Sequence, residues 1–160
     1  MAAPEAHVNL CVFKVGSESM VLDIMRIREI LRPLPVTPLP RAPQGVLGLI
    51  NVRGTVIPLL DVRVRFGMAP GEKPPRQRIM VVLDRRRLHG LLVDSVHEVA
   101  RVPKDHLTPG TGVLGGDAGD VFSGVVQHRG RMVLMLNLSR FLERETVAVI
   151  PPLPEKGGAP

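Results

Sequence analysis

The sequence predicts an all-β protein made of two small, packed β-barrels with about five short strands in each. The first observation is composition: 44 % of the 160 residues are hydrophobic but only 2 % are aromatic, so Val, Leu and Ile must fill the core. The second is the alternation of short apolar runs, rich in β-branched residues, with tight turns. The third is an internal repeat, which indicates a duplicated architecture.

The repeat is clearest around two Arg-Gly pairs. The stretch that begins at Gly48 matches the stretch that begins at Gly124, a constant offset of 76 residues (124 − 48). An upstream stretch repeats at an offset of 69 residues (91 − 22), as between Leu22 and Leu91. An Arg-Gly tip, a polar cap and a matched upstream glutamate are hard to obtain together by chance. Matched positions include Glu29 with Glu98, Arg53 with Arg129, Gly54 with Gly130, Leu60 with Leu136 and Asp61 with Asn137.

Two apolar runs flank the first Arg-Gly pair and predict the strands of a hairpin, over 46–52 and 55–60. Gly54 can adopt a positive φ without steric cost, so Arg53-Gly54 is predicted as the two-residue tip. Asp61 can then cap a short helical turn. Pro58 has no backbone N–H, so that side of its strand is predicted to be an edge or a bulge.

The elements before this hairpin are two strands, over 8–15 and 20–24, joined by a polar turn. The segment 25–31 is ambiguous, because its apolar positions suit either a short helix or a strand. Five prolines within 33–43 then hold the chain extended as a stiff strap. These elements and the first Arg-Gly hairpin make up the first unit, over about 8–67.

The second unit, over about 78–142, repeats this order after a Pro/Gly-rich connector. Its predicted elements are strands over 78–83 and 88–93, an ambiguous segment over 94–102, a glycine-rich loop over 103–119, the second Arg-Gly hairpin and a short helix over 137–145. The tail over 146–160 is predicted to be disordered. Units of about 60 residues are marginal alone, so we expect a single domain over 8–145, in which a strand or helix can cross between the barrels.

Enzyme signatures are missing from the sequence: it has no G-x-S-x-G, H-E-x-x-H, Walker loop or C-x-x-C. The five histidines are dispersed, so no metal site is predicted, and no cofactor is indicated. Asp61, Asp84 and Asp94 each suit an ordinary turn or cap. Cys11 lies in an apolar run, which favours a buried, inert thiol in a reducing, cytoplasmic compartment. No signal peptide is predicted, and no apolar run approaches the ~20 residues of a membrane span.

The net charge of +6 suits an acidic partner, and small β-barrels do bind single-stranded nucleic acids. Such binding stacks bases on aromatic side chains, but the chain has four Phe and neither Tyr nor Trp. Basic residues are scattered, apart from Arg85-Arg86-Arg87 at a predicted hairpin tip. A basic β-barrel that binds nucleic acid therefore stands as the alternative to a protein-binding module.

Glu29 and Arg53 are charged residues inside otherwise apolar stretches. They suit a solvated strand face. They also suit a charge pair beside an apolar groove between the barrels, built from Ile27, Ile30 and Val52. A groove of this kind would suit a helical partner.

One stretch, Leu49-Ile-Asn-Val-Arg-Gly-Thr-Val-Ile-Pro-Leu-Leu-Asp-Val-Arg, resembles the hallmark of the CheW-like coupling proteins of bacterial chemotaxis. Ile27-Arg-Glu-Ile resembles the strand before the family's strap, and the resemblance runs from about Leu10 to Leu142. It implies two packed, five-stranded SH3-like barrels and no catalytic activity. The sequence departs from the family in its Pro-rich strap and in Arg63 and Arg65.

The resemblance also implies a role: a cytoplasmic scaffold that couples methyl-accepting chemoreceptors, at their hairpin tip, to the regulatory domain of the histidine kinase CheA. It implies no direct membrane insertion and no nucleic-acid partner, and it allows self-association in arrays. Coupling proteins also serve pili and gliding, so the pathway stays open. The residues expected at or beside the receptor groove are Ile27, Glu29, Ile30, Asn51, Val52, Arg53 and Gly54.

Overall fold

The structure, a computed structural model, describes residues 6–68, 74–110 and 121–145. Five strands come from the first half of the chain: β1 His7–Val15, β2 Glu18–Asp23, β3 Ile27–Leu31, β4 Val46–Val52 and β5 Thr55–Asp61. Six come from the second half: β6 Arg78–Asp84, β7 Arg87–Val93, β8 Ser95–Pro103, β9 Leu107–Pro109, β10 Phe122–His128 and β11 Arg131–Leu136. The all-β prediction is confirmed.

The helices are short. Those that lie wholly within the described residues are the 3-10 turns Ile24–Arg26 and Lys104–His106 and the α-helices α1 Val62–Arg65 and α2 Leu138–Glu145. The predicted cap at Asp61 accepts a hydrogen bond from the backbone N–H of Arg63 at 3.0 Å. Asn137 plays the same part for α2, by accepting from the N–H of Arg140 at 3.2 Å. No helix among the described residues is long and apolar enough to cross a bilayer.

For some stretches the sequence left the type of element undecided or predicted a loop, and others lie outside the described residues. The ambiguous segment 25–31 divides into the end of a 3-10 turn and β3, because Asp23 caps the turn through the backbone N–H of Met25. The predicted loop over 103–119 contains the second 3-10 turn and β9. The stretch 111–120, part of the connector over 69–73, and the tail 146–160 lie outside the described residues.

The strands form two sheets. The six-stranded sheet has the order β8-β1-β2-β11-β10-β9, and the five-stranded sheet has the order β3-β6-β7-β5-β4. The sixth strand of the larger sheet, β9, pairs Thr108 with Val125. At the matching position in the smaller sheet, Leu49 forms only an isolated bridge with Thr37. The larger sheet therefore has a sixth strand where the smaller sheet has a single bridge.

Each sheet takes strands from both sequence units. Strands β1 and β2 of the first unit join a sheet whose other strands come from the second unit, and β6 and β7 make the reciprocal crossing. Two parallel pairings hold the exchange together: β2 with β11, as at Met20 and Leu134, and β5 with β7, as at Leu60 and Leu91. The sequence units therefore do not coincide with the sheets.

In the part of the chain that the structure describes, three clusters of buried side chains form the core. The largest is shared, because strands of both sheets contribute to it, for example Phe13 and Met80. Each sheet also has a cluster of its own: one contains Val133 and the other contains Ile57. Ile57 is 1 % exposed and Val133 is 5 % exposed, so these two positions, which the 76-residue offset matches, are both interior. We refer below to the shared, six-strand and five-strand clusters.

The repeat is also visible in the backbone. Arg53 and Arg129 have φ values of 49° and 50°, and the glycines that follow them have φ values of 86° and 73°. Two consecutive positive φ values define the type I′ tip that suits the twist of a hairpin. Gly48 and Gly124 occupy matched close approaches: an added Cβ would lie 2.2 Å from the carbonyl oxygen of Thr37 or 2.4 Å from that of Thr108.

Candidate protein-interaction site

The Glu29–Arg53 ion pair joins the two ends of the five-stranded sheet. Glu29 lies on β3, the first strand in the sheet order, and Arg53 lies at the tip after β4, the last strand. The guanidinium donates from both terminal nitrogens, Nη1 to Oε1 and Nη2 to Oε2, each at 2.5 Å. The pair thus brings the edge strands together and closes the sheet toward a barrel.

This ion pair lies at the surface, where the Arg53 side chain is 73 % exposed and the Glu29 side chain is 23 % exposed. The hydrogen bonds from Arg53 lower the pKa of the Glu29 carboxyl, and Glu29 in turn raises the pKa of Arg53. Both groups are therefore charged at neutral pH. Exposed ion pairs contribute little to folding stability, so the pair mainly fixes the direction in which Arg53 presents its charge.

The tip itself is shaped by Asn51 and Gly54. The Oδ1 atom of Asn51 accepts a hydrogen bond from the backbone N–H of Gly54 at 2.7 Å. This bond satisfies a donor at the turn, and the positive φ of Gly54 lets the chain reverse. Asn51 and Gly54 therefore belong to the candidate site through the shape of the tip.

The structure divides the predicted apolar residues between two faces of the sheet. A register shift between Ile27 and Glu29 lets Ile27 pair with Val82 and Ile30 with Met80. Cross-strand partners share a face, and both partners belong to the shared cluster. Ile30 lies at the margin of that face and is 41 % exposed. Val52, by contrast, packs against the five-strand cluster.

A second ion pair, which the sequence analysis did not identify, closes the six-stranded sheet. Glu98 on β8 contacts Arg129 at the tip of the second Arg-Gly hairpin, with Nη2 and Oε2 2.9 Å apart. The other oxygen of Glu98 lies 3.0 Å from Nε2 of His128. The repeat had already matched Glu98 with Glu29 and Arg129 with Arg53, so the signal was present in the sequence.

A third ion pair connects the two units. Arg63 in α1 donates from Nε to Oδ1 of Asp94 at 2.8 Å, and Nη2 of Arg63 contacts Oδ2. The same Oδ2 accepts from the backbone N–H of Gly16 at 2.7 Å. Asp94 is only 9 % exposed and was predicted to be an ordinary turn or cap residue. Its carboxylate instead fastens the β1–β2 turn to α1, which explains the Arg63 departure noted in the sequence.

The chemistry of these residues is that of binding. Cys11 is buried, and burial raises the pKa of its thiol, so it is a poor nucleophile at neutral pH. The described residues contain no group of three or more side chains arranged to hold a metal ion. The surface offers an arginine held by an ion pair at a hairpin tip, with a partly exposed isoleucine on β3, the edge strand to which the ion pair links this tip. The fold and this site together define a β-sheet binding module.

Comparison with known proteins identifies the family. The family model described as the CheW-like domain matches residues 9–146, so the chain belongs to the CheW-like family. The chemotaxis protein CheW of Rhizobium meliloti (strain 1021) is 35 % identical over 137 residues, which cover 86 % of this chain and 88 % of the relative. Protein FrzA of Myxococcus xanthus is 35 % identical over 136 residues, which cover 82 % of each chain.

A solved structure supports the same assignment. The crystal structure of scaffolding protein TtCheW from Thermoanaerobacter tengcongensis matches with a TM-score of 0.80 and 29 % identity, over 86 % of this chain and 94 % of that chain. The CheW-like family consists of non-catalytic scaffold proteins that act in chemotaxis-type signalling. The family resemblance, the fold and the adaptor role predicted from the sequence are confirmed.

Proposed function

We propose that this chain is a cytoplasmic adaptor that holds the hairpin tip of methyl-accepting chemoreceptors beside the regulatory domain of a CheA-type histidine kinase. Family membership supports the coupling role. The observation that carries the receptor contact is the Glu29–Arg53 pair, because it presents a largely exposed charge at the hairpin tip, and the partly exposed Ile30 follows Glu29 directly on β3. A helical hairpin offers the matching combination of an apolar stripe and acidic side chains.

Within this proposal the predicted residues act in three ways. Arg53 meets an acidic group of the receptor, and Glu29 holds Arg53 in direction. Ile30, which is 41 % exposed, provides apolar surface on β3, and Ile27 packs against the shared cluster behind it. The remaining residues keep the tip in place, through the turn hydrogen bond and through packing on the five-strand cluster: Asn51, Val52 and Gly54.

The kinase regulatory domain binds a separate surface in this proposal, so that receptor and kinase are held at the same time. Self-association in arrays would use surface outside the Glu29–Arg53 tip for the same reason. Binding to the two partners should then respond differently to changes at the tip. This separation makes the proposal testable with single substitutions.

The test compares the two ion pairs. Arg53→Ala and Glu29→Ala should weaken binding to receptor arrays and reduce kinase activation, while binding to the isolated kinase domain changes much less. Arg129→Ala and Glu98→Ala are the matched controls, since they remove the equivalent pair from the other sheet. Titrations against each partner, with melting temperature recorded for every variant, measure the difference.

A charge-swapped variant separates binding from sheet closure. Glu29→Arg combined with Arg53→Glu keeps an ion pair between the edge strands but reverses the charge at the tip. We expect this double variant to melt close to the wild-type temperature and to bind receptor as poorly as Arg53→Ala. Wild-type receptor binding by the double variant, or equal losses for receptor and kinase in the single variants, would show that the pair is structural only.

A further inference from the structure

A cleft lies between the β6–β7 tip and helix α2. Its volume is about 530 Å³. The polar side chains that line it are Asp84, Arg85, Arg86, Arg87, His89 and Glu143. In the sequence, the three consecutive arginines indicate only the tip of a hairpin.

His89 is the unusual member of this set. It is 6 % exposed, and its Nδ1 atom is buried without a hydrogen-bond partner. Burial lowers the pKa of the imidazole, so the ring is neutral near pH 7. A buried polar atom that lacks a partner costs roughly 1–3 kcal/mol of folding free energy, and native proteins contain few such atoms. The Nδ1 atom is therefore a candidate contact for a group bound in the cleft.

The first copy of the repeat shows that the fold does not require these polar residues. Asp84 pairs with Arg87 next to the β6–β7 turn, and His89 pairs with Val82 two positions further along. At the same places in the β1–β2 hairpin, Val15 pairs with Glu18 and Met20 pairs with Phe13. Val15 is 0 % exposed and Met20 is 2 % exposed, so both are core residues. The second copy thus has an aspartate and a histidine where the first copy has apolar side chains.

The carboxylates in the cleft already have partners. Asp84 accepts a hydrogen bond from the hydroxyl of Ser139 at 2.7 Å and lies 3.7 Å from Nη1 of Arg26. Glu143 contacts Arg85 at 3.0 Å and Arg140 at 3.3 Å. Among the described side chains, three arginines line the cleft together with these two carboxylates, and each carboxylate already has an arginine partner. The excess positive charge, together with the imidazole of His89, suits an anion.

We propose that this cleft is a binding site for a phosphate group, held by Arg87, its neighbouring tip arginines and His89. Guanidinium groups bind phosphate oxygens through paired, charge-assisted hydrogen bonds. Nδ1 of His89 can bind a phosphate in either tautomer of the ring. When Nδ1 is unprotonated it accepts a hydrogen bond from a P–O–H group, and when it is protonated it donates to a phosphate oxygen. The occupant is either free phosphate or a small phosphate monoester.

The experiment is a calorimetric titration of the full chain with inorganic phosphate, with chloride used to keep the ionic strength constant. We expect saturable binding, which is about tenfold weaker in Arg87→Gln because one charged hydrogen-bonding partner is lost. His89→Met installs the residue that the first copy has at this position. It should bind phosphate more weakly without a lower melting temperature, because it removes the unpartnered buried nitrogen.

Arg129→Gln is the matched control, since it removes one positive charge from the tip of the second Arg-Gly hairpin. It should bind phosphate as the wild type does. Absence of saturable phosphate binding, or equal weakening in Arg87→Gln and Arg129→Gln, would overturn the proposal. If His89→Met fails to fold, the comparison of Arg87→Gln with Arg129→Gln still tests whether the cleft binds phosphate.

A second arm identifies the source of the phosphate. Phosphoserine is titrated beside serine, which lacks the phosphate group and should not bind. Phosphoserine binding at least as tight as that of inorganic phosphate supports a monoester as the occupant, whereas binding of inorganic phosphate alone supports the free anion. Equal binding of serine and phosphoserine would contradict recognition of a phosphate. These outcomes do not depend on receptor or kinase binding, so they test the cleft independently of the proposed adaptor function.

Discussion

The two Arg-Gly tips have the same backbone and the same ion pair, but different surroundings. Arg53 donates hydrogen bonds to both carboxylate oxygens of Glu29, whereas the two oxygens of Glu98 contact different side chains, Arg129 and His128. Both arginines are about equally exposed, at 73 % and 74 % of their side chains. His128 stands where the first copy has Val52, a residue that packs on the five-strand cluster.

The two copies share a Glu–Arg ion pair because both sheets use it for closure. The Glu29–Arg53 pair links β3 to the tip of the last strand, β4, and the Glu98–Arg129 pair links β8 to the β10–β11 tip beside the last strand, β9, so the pair serves closure in both copies. A Glu–Arg pair is therefore not by itself a sign of receptor binding. Specific function has to be sought in the residues that differ between the copies and in what lies around each tip.

The largest expected effect tests whether the copies are equivalent in the core. Ile57→Ala and Val133→Ala should each lower the free energy of unfolding by roughly 2–4 kcal/mol, with the valine variant at the lower end because it loses fewer methyl groups. Urea-induced unfolding gives these values. The controls are Val56→Ala and Met132→Ala, one residue earlier in each strand, where the side chains are 50 % and 67 % exposed.

Those exposed controls should stay within about 0.5 kcal/mol of the wild type. If an exposed variant destabilises the protein as much as its buried neighbour does, the strand faces assigned to β5 and β11 are wrong. A large effect in one copy alone would show that the clusters are not equivalent in energy, although they match in sequence.

A smaller effect is expected at the close approaches of the backbone. Gly48→Ala and Gly124→Ala should each cost about 1–3 kcal/mol, because the new Cβ would meet a carbonyl oxygen of Thr37 or Thr108. Gly48 also has a φ of 150°, so its variant should be the less stable of the two in thermal unfolding.

Gly130→Ala separates steric contact from backbone strain. Gly130 has a φ of 73°, but an added Cβ would meet nothing within 4 Å. This variant should therefore lose less stability than Gly48→Ala, which carries both penalties. If the Gly124→Ala variant has the same melting temperature as the wild type, β9 can move away from β10 at little cost in stability.

The smallest expected effect concerns acid sensitivity. The hydrogen bond from His128 is the main cause that lowers the pKa of Glu98, with Arg129 as a further cause, whereas Arg53 lowers the pKa of Glu29. A carboxyl whose pKa is lowered by folding stabilises the protein above its unfolded value, about pH 4.3, and loses this contribution as the pH falls through the folded value. Both pairs should weaken in acid.

His128→Val gives the second tip the residue of the first. It should raise the pKa of Glu98 toward its ordinary value while leaving Glu29 unchanged, and it should reduce the loss of stability below about pH 4.3. Carboxyl NMR titrations of both glutamates measure the pKa values directly. An unchanged titration of Glu98 would mean that Arg129 and His97, and not His128, lower its pKa.

The sequence predicted those parts of the fold that depend on neighbouring residues. Hairpins, caps and the matched interior positions follow from local patterns, so Ile57 and Val133 could be assigned to the interior from the sequence alone. The parallel pairings of β2 with β11 and β5 with β7 could not, because no local pattern specifies a partner that lies far away in the chain. The sequence allowed a crossover but did not identify these strands.

The candidate site was predictable to a similar degree. The family resemblance and the alternation of residues placed Glu29 and Arg53 near each other, but the register shift that turns Ile27 and Ile30 to one face depends on β6. The cleft at His89 was missed because Asp84 and His89 were each judged alone. Comparing the copies would have shown an aspartate opposite Val15 and a histidine opposite Met20.

The exchange of strands between the units has a consequence for how the protein is made. Strand β1 pairs with β8 and β2 pairs with β11, so the first hairpin leaves the ribosome long before its sheet can form. Until then its edges are open to pairing with other chains, the usual route to swapped dimers. A nascent chain stopped between the units would carry incomplete edges of both sheets. The repeat consists of two units in the sequence, but neither sheet can be completed until both units have been synthesised.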